Sequence, residues 1–240
     1  MFIKGEDQVG KVLALKGLSK RFGSVQANAA IDLDLNKGEV LALLGENGSG
    51  KTTLMNMLFG HYLPDSGSIE VADSQGSLQS LTLGHPQISL KKGIGMVHQH
   101  FTLAENLNAL DNITLGTEPL LAFQRNTLTA RKKLDKIMDD TGLFAPLDIA
   151  VGKLSVGERQ RIEILKALYR DVRILVLDEP TAVLTPQEAD DLFDNINTMA
   201  KNGLSVIFIS HKLREVLSFS QRIVVLRQGK KVGELVTNKT

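Results

Sequence analysis

The sequence has no cysteine, which excludes a disulfide framework and any thiolate metal site. It has no apolar run approaching the ~18 residues that a membrane span requires. Residues 1–11 are polar and lack the apolar stretch of a secretory signal. Neither sign of charge dominates: the formal net charge is +1, so bulk electrostatics give no reason to expect nucleic acid or a membrane surface as a partner. No internal repeat, low-complexity tract or interdomain linker is found. What is left is the composition of a soluble enzyme, 42% hydrophobic and 23% charged over 240 residues. That length buries a large core as one domain or as one domain carrying a lobe. The absences point to the cytoplasm and leave the chemistry open.

Residues 12–18 and 30–35 read as strands on either side of a turn near Gly23. Residues 39–44 form an apolar run ending at glycine, and residues 50–59 then read as a helix. Strand, glycine-rich turn and helix, in that order, open a doubly wound α/β domain. Residues 74–84, rich in Ser, Gly and Gln, predict a surface loop. From about residue 101 to 169 the pattern turns helical, with a charged amphipathic helix over 129–141 and another over 157–169. Strand signals return at 174–177, 205–209 and 222–226. Between the first two, Leu192, Phe193, Ile196, Met199 and Ala200 share one helix face. The expectation is an α/β core with an inserted helical lobe.

The run Gly45, Glu46, Asn47, Gly48, Ser49, Gly50, Lys51, Thr52 fits the phosphate-loop pattern G-x-x-x-x-G-K-[ST], between a predicted strand and a predicted helix. Glycines let successive backbone N–H groups turn toward phosphate oxygens where a β-carbon would clash. The helix that follows presents its positive end to the same anion. Lys51 is expected to reach the β- and γ-phosphates and the Thr52 hydroxyl to coordinate Mg²⁺. Further on, the apolar run 174–177 ends in Asp178, Glu179 and Pro180. In a parallel sheet, strand carboxyl ends line the ligand crevice. There Asp178 can hold Mg²⁺ or its waters and Glu179 can accept a proton from an attacking water. The competing reading is a solvated acidic turn closed by proline.

Leu154, Ser155, Val156, Gly157 and Glu158 lie between the phosphate loop and the acidic strand. They resemble the signature, commonly LSGGQ, of the ATP-binding cassette family, in the family's own order. The resemblance runs from residue 12 to beyond Arg222. The strings Met96 to Phe101, Leu154 to Gly157, Glu163 to Tyr169 and Glu179 to Glu188 are similar to the branch that imports simple sugars and nucleosides. In that branch the ATPase is usually two cassettes in one polypeptide. This chain resembles the first, with a second expected after Thr240.

The resemblance implies one nucleotide-binding domain over 1–240, with a P-loop core at about 10–99 and 166–240. It adds an antiparallel β region on the N-terminal side and a helical lobe at about 100–165. It implies ATP and Mg²⁺ as ligands, and ATP hydrolysis on the cytoplasmic face of a bacterial-type membrane to power an importer. The implied partners are membrane-spanning permease subunits and a second cassette, and no nucleic acid. Gln99 falls at the family's Q-loop, as a catalytic residue and Mg²⁺ ligand beside Thr52 and Asp178. His211 falls at the switch histidine, working with Lys51 and Glu179. Phe22 stands where an aromatic stacks on adenine, although a plain core role also fits it. ATP would be bound by residues 45–52 with Thr53, and across a dimer by Ser155, Val156, Gly157 and Glu158.

Ser155 with Glu158 is also a capping box, as is Thr185 with Glu188 behind Pro186. Thr185 stands where the family commonly has aspartate, so a capping role is favoured there. His98 and His100 flank Gln99 on one side of an extended segment, but no carboxylate nearby completes a metal site. Two other classes compete. One is a soluble cassette protein of translation or DNA maintenance; the DNA-maintenance members carry long coiled coils between Q-loop and signature, which this chain lacks. The other is a small-molecule kinase, which has no use for a signature or a helical lobe.

Overall fold

A computed structural model describes residues 10–117 and 127–237. The residues before Gly10, on which the N-terminal reading rests, lie outside this description, as do 118–126 within the predicted helical region. The chain starts with a long hairpin, β1 (Lys11–Phe22) and β2 (Val25–Asn36), and continues into β3 (Val40–Leu44) and α1 (Lys51–Phe59). Then come β4 (Ser66–Ala72), β5 (Leu78–Ser80), α2 (Pro86–Lys91) and β6 (Ile94–Val97). The helices α3 (Ala109–Thr114), α4 (Thr127–Thr141) and α5 (Val156–Leu168) follow. The rest alternates: β7 (Ile174–Asp178), α6 (Pro186–Lys201), β8 (Ser205–Ser210), α7 (Leu213–Phe219), β9 (Arg222–Arg227) and β10 (Lys230–Val236).

Two sheets form. The 4-stranded sheet runs β2-β1-β4-β5, antiparallel throughout, and the 6-stranded sheet runs β10-β9-β3-β8-β7-β6. In the larger sheet the five strands from β9 to β6 are parallel, and β10 closes the edge antiparallel to β9. Near-continuous apolar runs make these central strands, because parallel strands are covered on both faces.

Side-chain alternation then splits the core in two. Val40, Ala42, Leu175, Leu177, Val206 and Phe208 face the helical side, where α3 to α6 pack. Leu41, Leu43, Ile174, Val176, Ile207 and Ile209 face α1 and the antiparallel sheet. Each Val, Leu, Ile or Phe among them, fully removed from water, contributes about 1.5–3 kcal/mol. The predicted α6 face is buried as expected, Leu192, Phe193, Ile196, Met199 and Ala200 together. One expectation is corrected: the loop placed at 74–84 contains β5, whose three residues pair with β4. The lobe boundary placed near 165 falls inside α5, which packs on α3 and α4 and also on β6. Among the described residues no helix is long and apolar enough to cross a membrane.

Candidate functional site

The phosphate-loop residues join β3 to α1 and are braced from both sides. Gly50 has φ 99, and a Cβ there would overlap the carbonyl oxygen of Ala27 in β2. Asn28 Nδ2 donates to the Gly50 carbonyl at 3.1 Å, and Gly229 N–H, from the β9–β10 turn, donates to the Ser49 carbonyl at 3.1 Å. Glu46, Asn47 and Gly48 form the exposed crest, while Ser49 is buried beneath it. Gly50 as N-cap supplies no side-chain acceptor to α1. The first-turn N–H groups of Lys51, Thr52 and Thr53 therefore lie at a positive helix end without a side-chain cap, a ready seat for an anion. Lys51 is 5% exposed, its ammonium donating to the carbonyls of Gly45 at 2.7 Å and Glu46 at 2.8 Å. Burial lowers its pKa, and the nearby Glu179 and Asp178 carboxylates oppose that shift.

Beside this loop in the sheet come the ends of β8, β7 and β6, in that order. Asp178 closes β7 and is 5% exposed. Burial pushes its carboxyl above the usual range; the Thr52 hydrogen bond opposes this and the Glu179 charge adds to it. The Thr52 hydroxyl donates to Asp178 Oδ1 at 3.5 Å. Glu179, the next residue, occupies the left-handed region at φ 47. That conformation costs a non-glycine residue about 1 kcal/mol. Its N–H donates to the Ile209 carbonyl and its carbonyl accepts from Ala182 N–H, each at 3.1 Å. So held, its carboxylate receives Gln99 Nε2 on Oε2 at 3.3 Å and lies 3.1 Å from His211 Nδ1 through Oε1. The ends of β6, β7 and β8 thus converge on one carboxylate.

The donor set suits a small hard cation. The Thr52 hydroxyl and Asp178 carboxylate supply oxygens beside the phosphate seat. Gln99, with its amide nitrogen turned to Glu179, keeps its amide oxygen as an acceptor. Oxygen ligands of this kind fit Mg²⁺. His98 does something else: its ring stacks on His61 with centroids 5.3 Å apart, while His100 is exposed.

Phe22, at the end of β1, is 45% exposed and so is not a core residue. Tyr62 meets it edge-on with centroids 5.4 Å apart, and Lys20 Nζ lies 5.5 Å from its ring centre. The signature residues stand at the start of α5. Ser155 caps α5 by accepting from Glu158 N–H at 3.3 Å, and Glu158 Oε2 accepts from Ser155 N–H at 2.8 Å. Ser155 and Val156 are exposed, whereas Gly157 is buried. The close approach that Gly157 permits in this chain is to Glu188, whose Oε1 would lie 2.6 Å from a Cβ. Sequence reasoning missed Asn28, Tyr62 and the side chains around Glu215. Asn28 lies inside a strand pattern with nothing local to single it out, and Tyr62 follows α1 without a motif of its own.

The family model described as ABC transporter matches residues 29–182. The chain is 41% identical over 254 residues to the glucose import ATP-binding protein TsgD13 of Haloferax volcanii, covering 94% of this chain and 45% of that protein. It is 43% identical to the nucleoside import ATP-binding protein NupA of Lactococcus lactis, covering 92% of this chain and 43% of NupA. The ADP conformation of MJ1267, an ATP-binding cassette of an ABC transporter, matches with TM-score 0.83 and 26% identity over 94% of this chain and 91% of that one. This chain belongs to the ABC transporter family. It spans less than half the length of these curated relatives.

Proposed function

We propose that this chain binds ATP with Mg²⁺ and hydrolyses it to power a membrane importer of sugars or nucleosides. The convergence of Gln99 and His211 on Glu179, beside the braced loop of Lys51 and Thr52, carries the catalytic part. The import proteins among its relatives support the transport part.

Catalysis by such a site is mostly positioning and charge neutralisation. The loop N–H groups and the Lys51 ammonium hold the β- and γ-phosphates, and Phe22 offers its exposed ring to the base. Thr52, Asp178 and Gln99 would hold Mg²⁺, which would supply charge neutralisation to the transferring phosphoryl group. Glu179 accepts the proton of the attacking water on a carboxylate oxygen, and His211 and Gln99 fix the direction of that carboxylate. The exposed signature end of α5, at Ser155 and Val156, serves the phosphate loop of a second cassette. Permease subunits dock at Gln99 and the helical lobe, on the cytoplasmic face of the membrane. The second cassette follows in the same polypeptide.

Two variants test the site. Lys51→Ala is expected to abolish measurable ATP affinity by calorimetry with Mg²⁺ present, while the fold survives. Glu179→Gln is expected to keep ATP binding and lower turnover at least ~100-fold, the loss typical of removing a general base. Binding unchanged in the first, or turnover unchanged in the second, overturns the assignment of that residue.

A further inference from the structure

Behind the Glu179–His211 contact lies a buried carboxylate that the mechanism above does not use. Glu215, in the first turn of α7, is 8% exposed. Its Oε1 accepts from the Thr181 hydroxyl at 2.7 Å and its Oε2 from the Ser210 hydroxyl at 2.9 Å. Lys212 Nζ lies 3.1 Å from Oε1 and donates to the Thr181 carbonyl at 3.0 Å. Lys212 N–H donates to Ser210 Oγ at 3.0 Å. Thr181 and Ser210 are 2% and 3% exposed, so water does not compete for the two hydroxyl bonds to Glu215.

The placement matters because of what flanks each partner. Ser210 and Lys212 are the residues on either side of His211, and Thr181 follows Glu179 by two residues. One carboxylate therefore clamps the backbone carrying the imidazole to the backbone carrying the general base. Lys212 Nζ is the other link between the Thr181 segment and the His211 turn, through the Thr181 carbonyl and hydroxyl, and Glu215 Oε1 holds that ammonium at 3.1 Å. Glu179 keeps its own backbone bonds to Ile209 and Ala182, so what the clamp sets is where the His211 turn lies against it.

We propose that Glu215 is the positioning residue that keeps His211 on Glu179, acting through Ser210, Lys212 and Thr181 and touching no nucleotide atom. This rests on the ATPase reading of the site. Glu215→Ala is expected to leave the ATP dissociation constant and KM within ~3-fold and to lower kcat at least ~10-fold, the pattern of a loss confined to the chemical step. The deciding measurement is a cycle with His211→Ala. If Glu215 acts through His211, Glu215→Ala costs little more once the imidazole is gone. A merely structural role would lower activity by the same factor in both backgrounds, together with the fraction of protein able to bind ATP, and would overturn the proposal.

Should Glu215→Ala fail to fold, Thr181→Val removes one arm of the clamp with little change of shape. It is expected to lower kcat in the same direction, again only when His211 is present. Unchanged kcat in both folded variants overturns this inference alone. A wild-type protein that binds ATP but shows no turnover, with its second cassette present, overturns the reading of the site and this inference with it.

Discussion

At Gly157 the packing uses the missing side chain rather than any unusual backbone angle. A Cβ there would lie 2.6 Å from Glu188 Oε1 and 3.7 Å from Leu184 Cδ2. Glu188 is not free to swing aside, because its Oε2 accepts from the Thr185 amide at 2.9 Å and hydroxyl at 2.8 Å. These bonds close the capping box of α6, so the start of α5 rests on the start of α6. Gly157→Ala is expected to displace Glu188 and cost about 1 kcal/mol, the usual worth of a helix cap. Denaturant midpoints measure it, and in a Glu188→Ala background the same change is expected to cost much less. Equal costs in both backgrounds would leave the contact with Glu188 without energetic weight. Residues of the phosphate loop were legible in the sequence because their work depends on local backbone, from Gly45 to Thr52. The contact between Gln99 and Glu179 was not, since it joins residues 80 positions apart. Only the parallel order of β6 and β7 brings them together.

Among the elements, Arg222 opens β9 at the strand ends away from the phosphate loop and ties several strands together. Its Nε donates to Glu39 Oε1 at 2.6 Å and its Nη1 to Asp34 Oδ1 at 2.8 Å and Glu234 Oε1 at 2.5 Å. Nη2 donates to the Asp34 carbonyl at 2.7 Å. Burial alone would raise the Asp34 and Glu234 pKa values. Hydrogen bonds from Lys11 and Arg222 to Asp34, and from Lys231 and Arg222 to Glu234, overcome it and hold both below their ordinary values. Depressed carboxylates stabilise the fold above their unfolded pKa values, near 4, and lose that contribution as pH falls through the lower folded values. Arg222→Met strands the buried Glu39 carboxylate and is expected to cost about 3 kcal/mol at pH 7. The gap between wild type and variant is expected to narrow below pH ~4, as the wild-type carboxylates protonate too. Urea midpoints at the two pH values check this, and a gap that stays constant would detach Arg222 from the acid response. The same region shows what sequence patterns hide. β10 (Lys230–Val236) is charged and mostly exposed, and β6 (Ile94–Val97) spans only four residues. Each is a strand because a neighbour in the sheet supplies its hydrogen bonds. In contrast α6, with its apolar face and capping box, announces itself locally.

For the whole molecule, the proposed role of the exposed signature sets the expected kinetics. Ser155 and Glu158 spend their hydrogen bonds on each other, and Ser155 and Val156 face outward, while the phosphate loop is completed on its own side by β2 and the β9–β10 turn. A complete site, as proposed, needs the loop of one cassette and the signature of another. The isolated chain can then form sites only by weak self-association, so it is expected to be a monomer in solution with micromolar or weaker ATP affinity. Its basal turnover per mole of protein is expected to rise in proportion to concentration while dimers are scarce, because mass action governs the number of sites. Joining a second cassette to its C-terminal end is expected to abolish that dependence by fixing the effective concentration of the partner signature. Turnover per mole measured across a ~100-fold dilution, with light scattering on the same samples, decides it. A brisk rate that does not change on dilution, from a protein that scatters as a monomer, would show that one cassette completes its own site.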